Sequence, residues 1–307
     1  MRNRVMIKAA SMMLMLFGLN AYANLQVERV SDNIYALVGT TEQRSPENLA
    51  NNSTHGVIVT DHGVILVDPG GSYLGAKQIH QTIKWLTDKP VKWVINTGGQ
   101  DHRWLGNDYF QRLGAEVIAS NQAVLDHKAR AGEHLTRLNQ LIGDSLKGTE
   151  PAYADITFDT QLKLTLGGVE LELYHFGPAH TLGDAIVWLP KQQVLFSGDV
   201  VYVNRMLGIG PARNINSWIQ VFEKMAEFKP KHIVPGHGQL TNLEQATQDT
   251  YRYLRHLRDG IRQIIEDGGD MMAATNIDQE EFRYLKNFDS IARRNSQWTF
   301  EILEFED

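Results

Sequence analysis

The sequence predicts an α/β fold carrying a C-terminal helical extension. Three observations carry that prediction. Apolar runs of strand length end four times in a glycine-containing turn next to a carboxylate or an imidazole. Stretches with a helical period lie between strands rather than in one block, the alternation that α/β proteins show. The chain, 307 residues with 42% apolar residues and 9 prolines, suffices for a sizeable core, and no linker separates two folds.

Taken in order, the first residues stand apart. Arg2, Arg4 and Lys8 precede an apolar stretch from Ala9 to Leu19, and Ala21-Tyr22-Ala23 is an Ala-x-Ala cleavage pattern, so residues 1–23 read as a secretory signal peptide. That stretch is too short to span a bilayer. The expected product is a soluble protein of a bacterial periplasm, with no stable membrane insertion. It has no cysteine, so neither disulfides nor thiolate ligands are available to it.

A domain over residues 24–240 follows. Val27 to Val38 supplies strands, and so does a hairpin of Gly56–Val59 and Val64–Val67 turned by Asp61-His62-Gly63. Leu74 to Leu86 reads as an amphipathic helix leading to a strand over Val91–Ile95. A helix near Trp104 to Leu113, a strand over Glu116–Ala119 and helical segments to about Ser145 come next. The hairpin Gln161–Leu166 with Val169–Tyr174, turned by Gly167-Gly168, then opens a second sheet. In residues 241–307, Leu243 to Ile265 and Phe288 to Phe305 have helical periods with alternating charge. No heptad persists, which favours a solvated layer packed on the domain over a coiled coil; the layer also offers a homodimer surface or a cover for the groove.

The chemistry concentrates where strands end. Val91 to Ile95 runs into Asn96-Thr97-Gly98-Gly99-Gln100-Asp101-His102-Arg103, which places Asp101 and His102 on a loop at the carboxyl edge of the sheet, where open α/β sheets bind ligands. Three further segments repeat the arrangement: His175-Phe176-Gly177-Pro178-Ala179-His180, Ser197-Gly198-Asp199 and Pro235-Gly236-His237-Gly238. A lone Asp after Gly is usually a turn residue, and a lone His is usually satisfied or exposed. Four such sites in this order are not explained that way. His175 alternates out of phase with its apolar face, His62 falls in a turn, and His80, His127, His134 and His256 fall in helical patterns without ligand spacing. His55 flanks the same hairpin as His62 and is not counted among the site residues.

From about Asn33 to Gly238 the chain resembles the metallo-β-lactamase fold superfamily. The resemblance implies an αββα sandwich of two mixed β-sheets with outer helices. The family's first motif is His-x-His-x-Asp-His, with Asn-Thr before it and Leu-Gly-Asn after. Asn96-Thr97 and Leu105-Gly106-Asn107 match both flanks without a gap, which puts Gly98 and Gln100 at the two leading histidine positions, His102 at the aspartate and Arg103 at the last histidine. In a second frame, Asp101-His102 is the family's Asp-His displaced by one residue. Both leading histidines are lost in either frame. The later motifs are intact in His180, Asp199 and His237, and Asp68 matches the family's supporting acid at the end of an early strand.

The resemblance implies two metal positions. The first would keep only His180 and a share of Asp199, and a glutamine amide replaces imidazole poorly on zinc, which predicts an empty first site. The second keeps His102, Asp199 and His237, with a fourth ligand from Asp101 in the displaced frame or from His180 in the other. One zinc ion is therefore expected, with iron or manganese also acceptable to such donors. Whichever of Asp101 and His180 is not a ligand is the expected general base or holder of the attacking water. A subgroup of the family that works with one zinc at the equivalent of this second site shows that such a loss is tolerated.

Removing Arg2, Arg4 and Lys8 takes the formal charge from −6 to −9, which argues against a nucleic-acid substrate. Arg103, Arg205 and Arg213 lie near motif loops and can pair with a substrate carboxylate, although a solvated arginine is the commoner case. Val200 to Asn214 reads as a loop beside the metal, and Trp104 as core or cleft wall. The expected function is exported, metal-dependent hydrolysis of a small ester, thioester, lactone or amide, with β-lactams one candidate. The tail and leader also resemble periplasmic metallohydrolases that accompany sulfur-oxidation or quinoprotein systems. Persulfide oxidation needs the missing leading histidines. The competing reading is a non-catalytic protein that holds a ligand in a remodelled cleft.

Overall fold

The computed structural model describes residues 24–210 and 214–306, so the leader read in residues 1–23 and Arg213 lie outside the described residues. Strands β1 (Gln26–Ser31), β2 (Ile34–Val38), β3 (Thr54–Val59) and β4 (Val64–Val67) form an antiparallel meander. Helix α1 (Tyr73–Leu86) then crosses to β5 (Val91–Ile95), which lies parallel to β4. Ser72 starts that helix by accepting a hydrogen bond from Gly75 N–H, the ordinary N-cap. A short α2 (Asn107–Gln111) leads to β6 (Glu116–Ser120), the long α3 (Asn121–Ile142) follows, and β7 (Ile156–Phe158) completes a seven-stranded mixed sheet.

The second sheet has five strands, β8 (Gln161–Leu166), β9 (Val169–Tyr174), β10 (Ile186–Leu189), β11 (Val194–Tyr202) and β12 (His232–His237). Only β11 and β12 pair in parallel, joined through α4 (Ile215–Ala226).

Period-two alternation explains why the sheets stack. In β4, Ile65 and Val67 face β11 and β12 through Phe196 and Val234, while Val64 and Leu66 face Ala76, Ile79 and Ile83 of α1. The second sheet turns its other face, through Leu195 and Ile233, to Trp218 and Phe222 of α4. The result is an αββα sandwich. The extension adds α5 (Leu243–Ala246), α6 (Arg252–Glu266), α7 (Met271–Thr275) and α8 (Phe288–Glu304). Leu254, Leu257 and Ile261 of α6 and Phe300 and Leu303 of α8 join the same core as α4, so this layer is built into the sandwich.

Two expectations need correction, and one helix was not expected. The helix expected from Trp104 starts at Asn107, because residues 101–103 form a 3₁₀ turn first. Val200 to Tyr202, expected in a loop, extend β11, and Met206, Leu207 and Ile209 beyond them are buried. Helix α4 lacked any assignment in the sequence reading.

Candidate metal centre

The strand β5 delivers the loop 96–100 and then the 3₁₀ turn Asp101–Arg103 at the carboxyl edge of the first sheet. Successive side chains in such a turn diverge by about 120°. Asp101, His102 and Arg103 therefore leave the turn in different directions. His102 turns toward β11, where its Nε2 lies 3.2 Å from Asp199 Oδ2. His237, at the end of β12, places Nε2 3.2 Å from Asp199 Oδ1. One ligand atom from each of these three buried residues lies within 4.8 Å of the others. Asp199 reaches this point because Gly198 bends the strand at φ +50°, and a Cβ at that glycine would stand 2.2 Å from Thr97 Oγ1.

Arg103, which stands at a histidine position of the motif and was also read as a surface arginine, is fully buried beneath the cluster. Its guanidinium donates to Asp68 Oδ2 at 2.8 Å, to Asp199 Oδ1 at 2.7 Å and to the Gly236 carbonyl at 2.7 Å. Burial pushes the Asp199 carboxyl up, but Arg103 and the flanking imidazoles overcome that and hold it well below the usual carboxylate range. At Asp68 burial wins over Arg103 and Thr97, and its carboxyl is raised.

The far nitrogens of both imidazoles are also held. His102 Nδ1 lies 3.0 Å from Asp101 Oδ1 and 2.8 Å from an Arg44 nitrogen; His237 Nδ1 lies 2.8 Å from the Asn52 carbonyl and 2.8 Å from Arg205. Each Nδ1 can donate to its oxygen or accept from its arginine, not both; in the tautomer that donates, each Nε2 keeps a lone pair for an ion, the usual way a protein fixes a metal-binding imidazole. The donor set fits a cation on a further ground. His102 Nε2 and Asp199 Oδ2 are buried and, although 3.2 Å apart, make no well-formed hydrogen bond with each other or with any other described group. Leaving two buried polar atoms so is costly, and a shared cation would satisfy both. Two imidazoles and a carboxylate suit zinc, iron or manganese.

The structure does not bring the other two expected ligands into this group. Asp101 points away to a buried ion pair with Arg44, whose Nε is 3.1 Å from Oδ1. Burial raises the Asp101 carboxyl, but Arg44 and His102 hold it well below its ordinary range, which makes it an acceptor behind His102 rather than a ligand or a general base. His180 lies across the cleft, its ring 5.6 Å from that of Tyr202 and edge-on to Trp218 at 5.4 Å, outside the three-residue group.

Carboxylates crowd the glycines ahead of Gln100 in the first motif. A Cβ on Gly98 would meet Asp184 Oδ1 at 2.2 Å, and one on Gly99 would meet Asp126 Oδ2 at 1.8 Å. Asp184 is buried against Thr181, whose N–H and hydroxyl both donate to it at 2.6 Å, and burial with the nearby Asp199 charge pushes its carboxyl up to about 7. Trp104 is buried, stacked between His127 and Tyr153. His55 is buried in β3, with Nδ1 2.9 Å from the Asp68 carbonyl.

A cavity of about 370 Å³ reaches the cluster at His237. Gln100, His180, Tyr202 and His237 line its inner end, and Ile291, Arg294 and Trp298 of α8 line its outer wall. The sequence reading missed Arg44, Asn52 and the α8 wall. Arg44 sits in an irregular stretch with no periodicity to mark it, and a backbone carbonyl such as that of Asn52 has no sequence signal.

Comparison with known proteins bears on the fold that holds these residues. A family model described as the metallo-beta-lactamase superfamily matches residues 51–237. The metallo-beta-lactamase type 2 of Bacteroides fragilis is 23% identical over 252 residues, covering 79% of this chain and 88% of that protein. Its counterpart from Elizabethkingia meningoseptica is 26% identical over 232 residues, covering 72% and 84%. Among solved structures, a metallo-beta-lactamase from Pontibacter korlensis superposes with a TM-score of 0.62 at 23% identity, over 76% of this chain and 99% of its own. The FIM-1 enzyme of Pseudomonas aeruginosa, in its mono-zinc form, gives 0.60 at 19% identity, over 76% and 96%. At such identities the structural likeness is one of fold.

Proposed function

The chain belongs to the metallo-β-lactamase superfamily, and from that premise we propose that it is a metal-dependent hydrolase working with one ion held by His102, Asp199 and His237. The carrying observation is the convergence of these three buried donors from three separate segments, the turn after β5, the bend within β11 and the end of β12. A divalent ion held there, zinc in the first instance, polarises a scissile carbonyl and acidifies water, which is the chemistry that breaks an ester, thioester, lactone or amide.

The chain's own residues supply the rest. In the tautomer in which Nδ1 donates, Asp101 and the Asn52 carbonyl accept from the two imidazoles and leave each Nε2 a lone pair for the ion. Arg103 fixes the Asp199 carboxylate from below. His180 lines the same cavity opposite the cluster and is the residue placed to take a proton from the attacking water or pass one to the leaving group. Gln100 has a buried Oε1 without a hydrogen-bond partner among the described residues and lines the cavity, so it can accept from a substrate N–H or O–H. Export to the periplasm is part of the same reading.

Metal analysis tests it most directly. The purified protein is expected to carry about one equivalent of zinc, lost in His102→Ala, His237→Ala and Asp199→Asn; a wild-type protein free of metal, with hydrolysis unaffected by chelator, overturns the reading. Hydrolysis of aryl ester, thioester, lactone and β-lactam probes is expected to fall by roughly 100-fold or more in His180→Ala while the metal is kept. N-terminal sequencing of the exported protein should begin at Asn24.

A further inference from the structure

The cavity that reaches the metal cluster carries more positive charge than the cluster needs. Arg44, Arg137, Arg205 and Arg294 all line it, from the loop before β3, from α3, from the segment after β11 and from α8. Arg44 is neutralised by Asp101. Among the described residues, Arg137, Arg205 and Arg294 have no carboxylate within ion-pairing distance, and the one acidic residue on the cavity wall, Glu133, pairs with none of them. The Nε of Arg205 is buried without a hydrogen-bond partner among those residues. Loss of hydration in the groove and then the charges of Arg44 and Arg294 hold the Arg137 guanidinium below its ordinary range, with Asp101 and Glu133 opposing. Guanidiniums gathered at this density repel one another and stay together at a cost unless an anion joins them. The setting sharpens the contrast, because the chain as a whole is acidic, with a formal charge of −6.

The outer wall is also built. Asn295 of α8 is fully buried; it accepts from the Ile209 N–H at 2.7 Å and donates to the Leu207 carbonyl at 2.8 Å, which fastens the segment after β11 to the helix that carries Arg294. Met206, Ile209, Ile291 and Trp298 add an apolar surface between the arginines. Helix α8 lies beyond residue 237, where the match to the family model ends.

We propose that the site takes a compact dianion with an apolar body, a dicarboxylate or a phosphate monoester, whose charged groups are clamped between Arg137 on α3 and Arg294 on α8 with Arg205 beneath. This deepens the hydrolase reading and rests on it for which end of the ligand reacts. The clamp itself is a binding property and can be tested apart from the metal.

Isothermal titration of the full mature chain with four probes that share one aromatic ring decides the matter: phthalate, phenyl phosphate, benzoate and benzamide. At least one dianion is expected to bind about tenfold or more tightly than benzoate, and benzamide most weakly. Whichever dianion binds better identifies the head group. The Arg137→Ala, Arg294→Ala double variant, altered only at exposed positions, should reduce the dianion preference to about threefold or less, and Arg294→Glu should abolish it. In His102→Ala, which disables the cation site, the preference should persist. Equal binding of benzoate and both dianions, or a preference that survives the double variant, overturns the clamp. A preference lost in His102→Ala also overturns it, by placing the anion on the ion, and leaves the metal reading intact. A metal-free wild-type protein that still prefers a dianion keeps the clamp and removes the hydrolase.

Discussion

One step along a 3₁₀ turn, about 120°, separates Asp101 from His102, and with it an acceptor behind an imidazole from a donor aimed at the cluster. Asp101→Asn is therefore expected to keep about one equivalent of metal with an affinity lowered roughly 10- to 100-fold, the usual cost of losing an acceptor behind a ligand. Titration with a competing chelator measures it; complete loss of metal would make Asp101 a ligand after all. Three residues before Asp101, Gly98 occupies a leading histidine position that has no room for a side chain as the protein stands. A side chain there would have to displace Asp184, whose oxygen stands 2.2 Å from the would-be Cβ. Gly98→His with Gln100→His should still bind only one equivalent, and overpacking should lower stability by on the order of 1–3 kcal/mol. A second equivalent of metal at unchanged stability would refute this account.

Helix α8 is the element whose role goes furthest beyond packing. Its apolar face enters the core of the second sheet through Phe300 and Leu303, and one residue, Asn295, ties it to the cavity. Asn295 also donates to Tyr253 Oη at 3.0 Å, and Tyr253 in turn donates to Gln279 Oε1 at 2.8 Å, so a buried polar chain joins α6, α8 and the cavity wall. Asn295→Ala would leave the Ile209 N–H and the Leu207 carbonyl unpaired. The expected cost is about 1–3 kcal/mol in urea unfolding, with a raised KM at similar kcat as the outer wall loosens. A stability loss with KM unchanged would confine Asn295 to the core.

At the scale of the whole molecule, buried histidines set the response to acid. Burial depresses His55 to about 3 and His127 and His134 to about 4, each below its ordinary 6.5, so the folded state keeps them neutral while the unfolded chain takes up protons. Their contribution is complete above the unfolded value and is lost as the pH falls from 6.5 toward 4. Asp184 opposes them: raised to about 7, it is protonated when folded and ionised when unfolded across the same window, so its contribution grows as the pH falls. The depressed histidines outnumber the raised carboxyls of Asp184 and Asp68, so unfolding takes up protons and the urea midpoint should drop steadily from pH 6.5 to 4.5. Neither ring nitrogen of buried His134 has a hydrogen-bond partner among the described residues, so His134→Leu should cost little at pH 7 and should flatten the slope by about one proton. Asp184→Asn should steepen it. A midpoint that does not change over this range would show that these groups are hydrated.

How much was legible beforehand follows from the range of the forces involved. Local patterns marked β8 and β9 to the residue, placed α1, and gave the four strand ends that carry Asp101–His102, His180, Asp199 and His237, because periodicity and glycine turns are properties of neighbouring residues. Both frames of the first motif kept His102 as a ligand and left Asp101 and His180 as alternatives for the fourth. Local pattern could not say that Arg103 lies under Asp199, that Asp184 fills the place of an absent side chain, or that a helix ending more than 60 residues past the last motif closes the cleft with Arg294. Those outcomes depend on which charge finds which partner once water is excluded. That is settled only when distant segments pack, since a buried guanidinium or carboxylate is stabilised by whatever counter-charge the tertiary structure delivers to it.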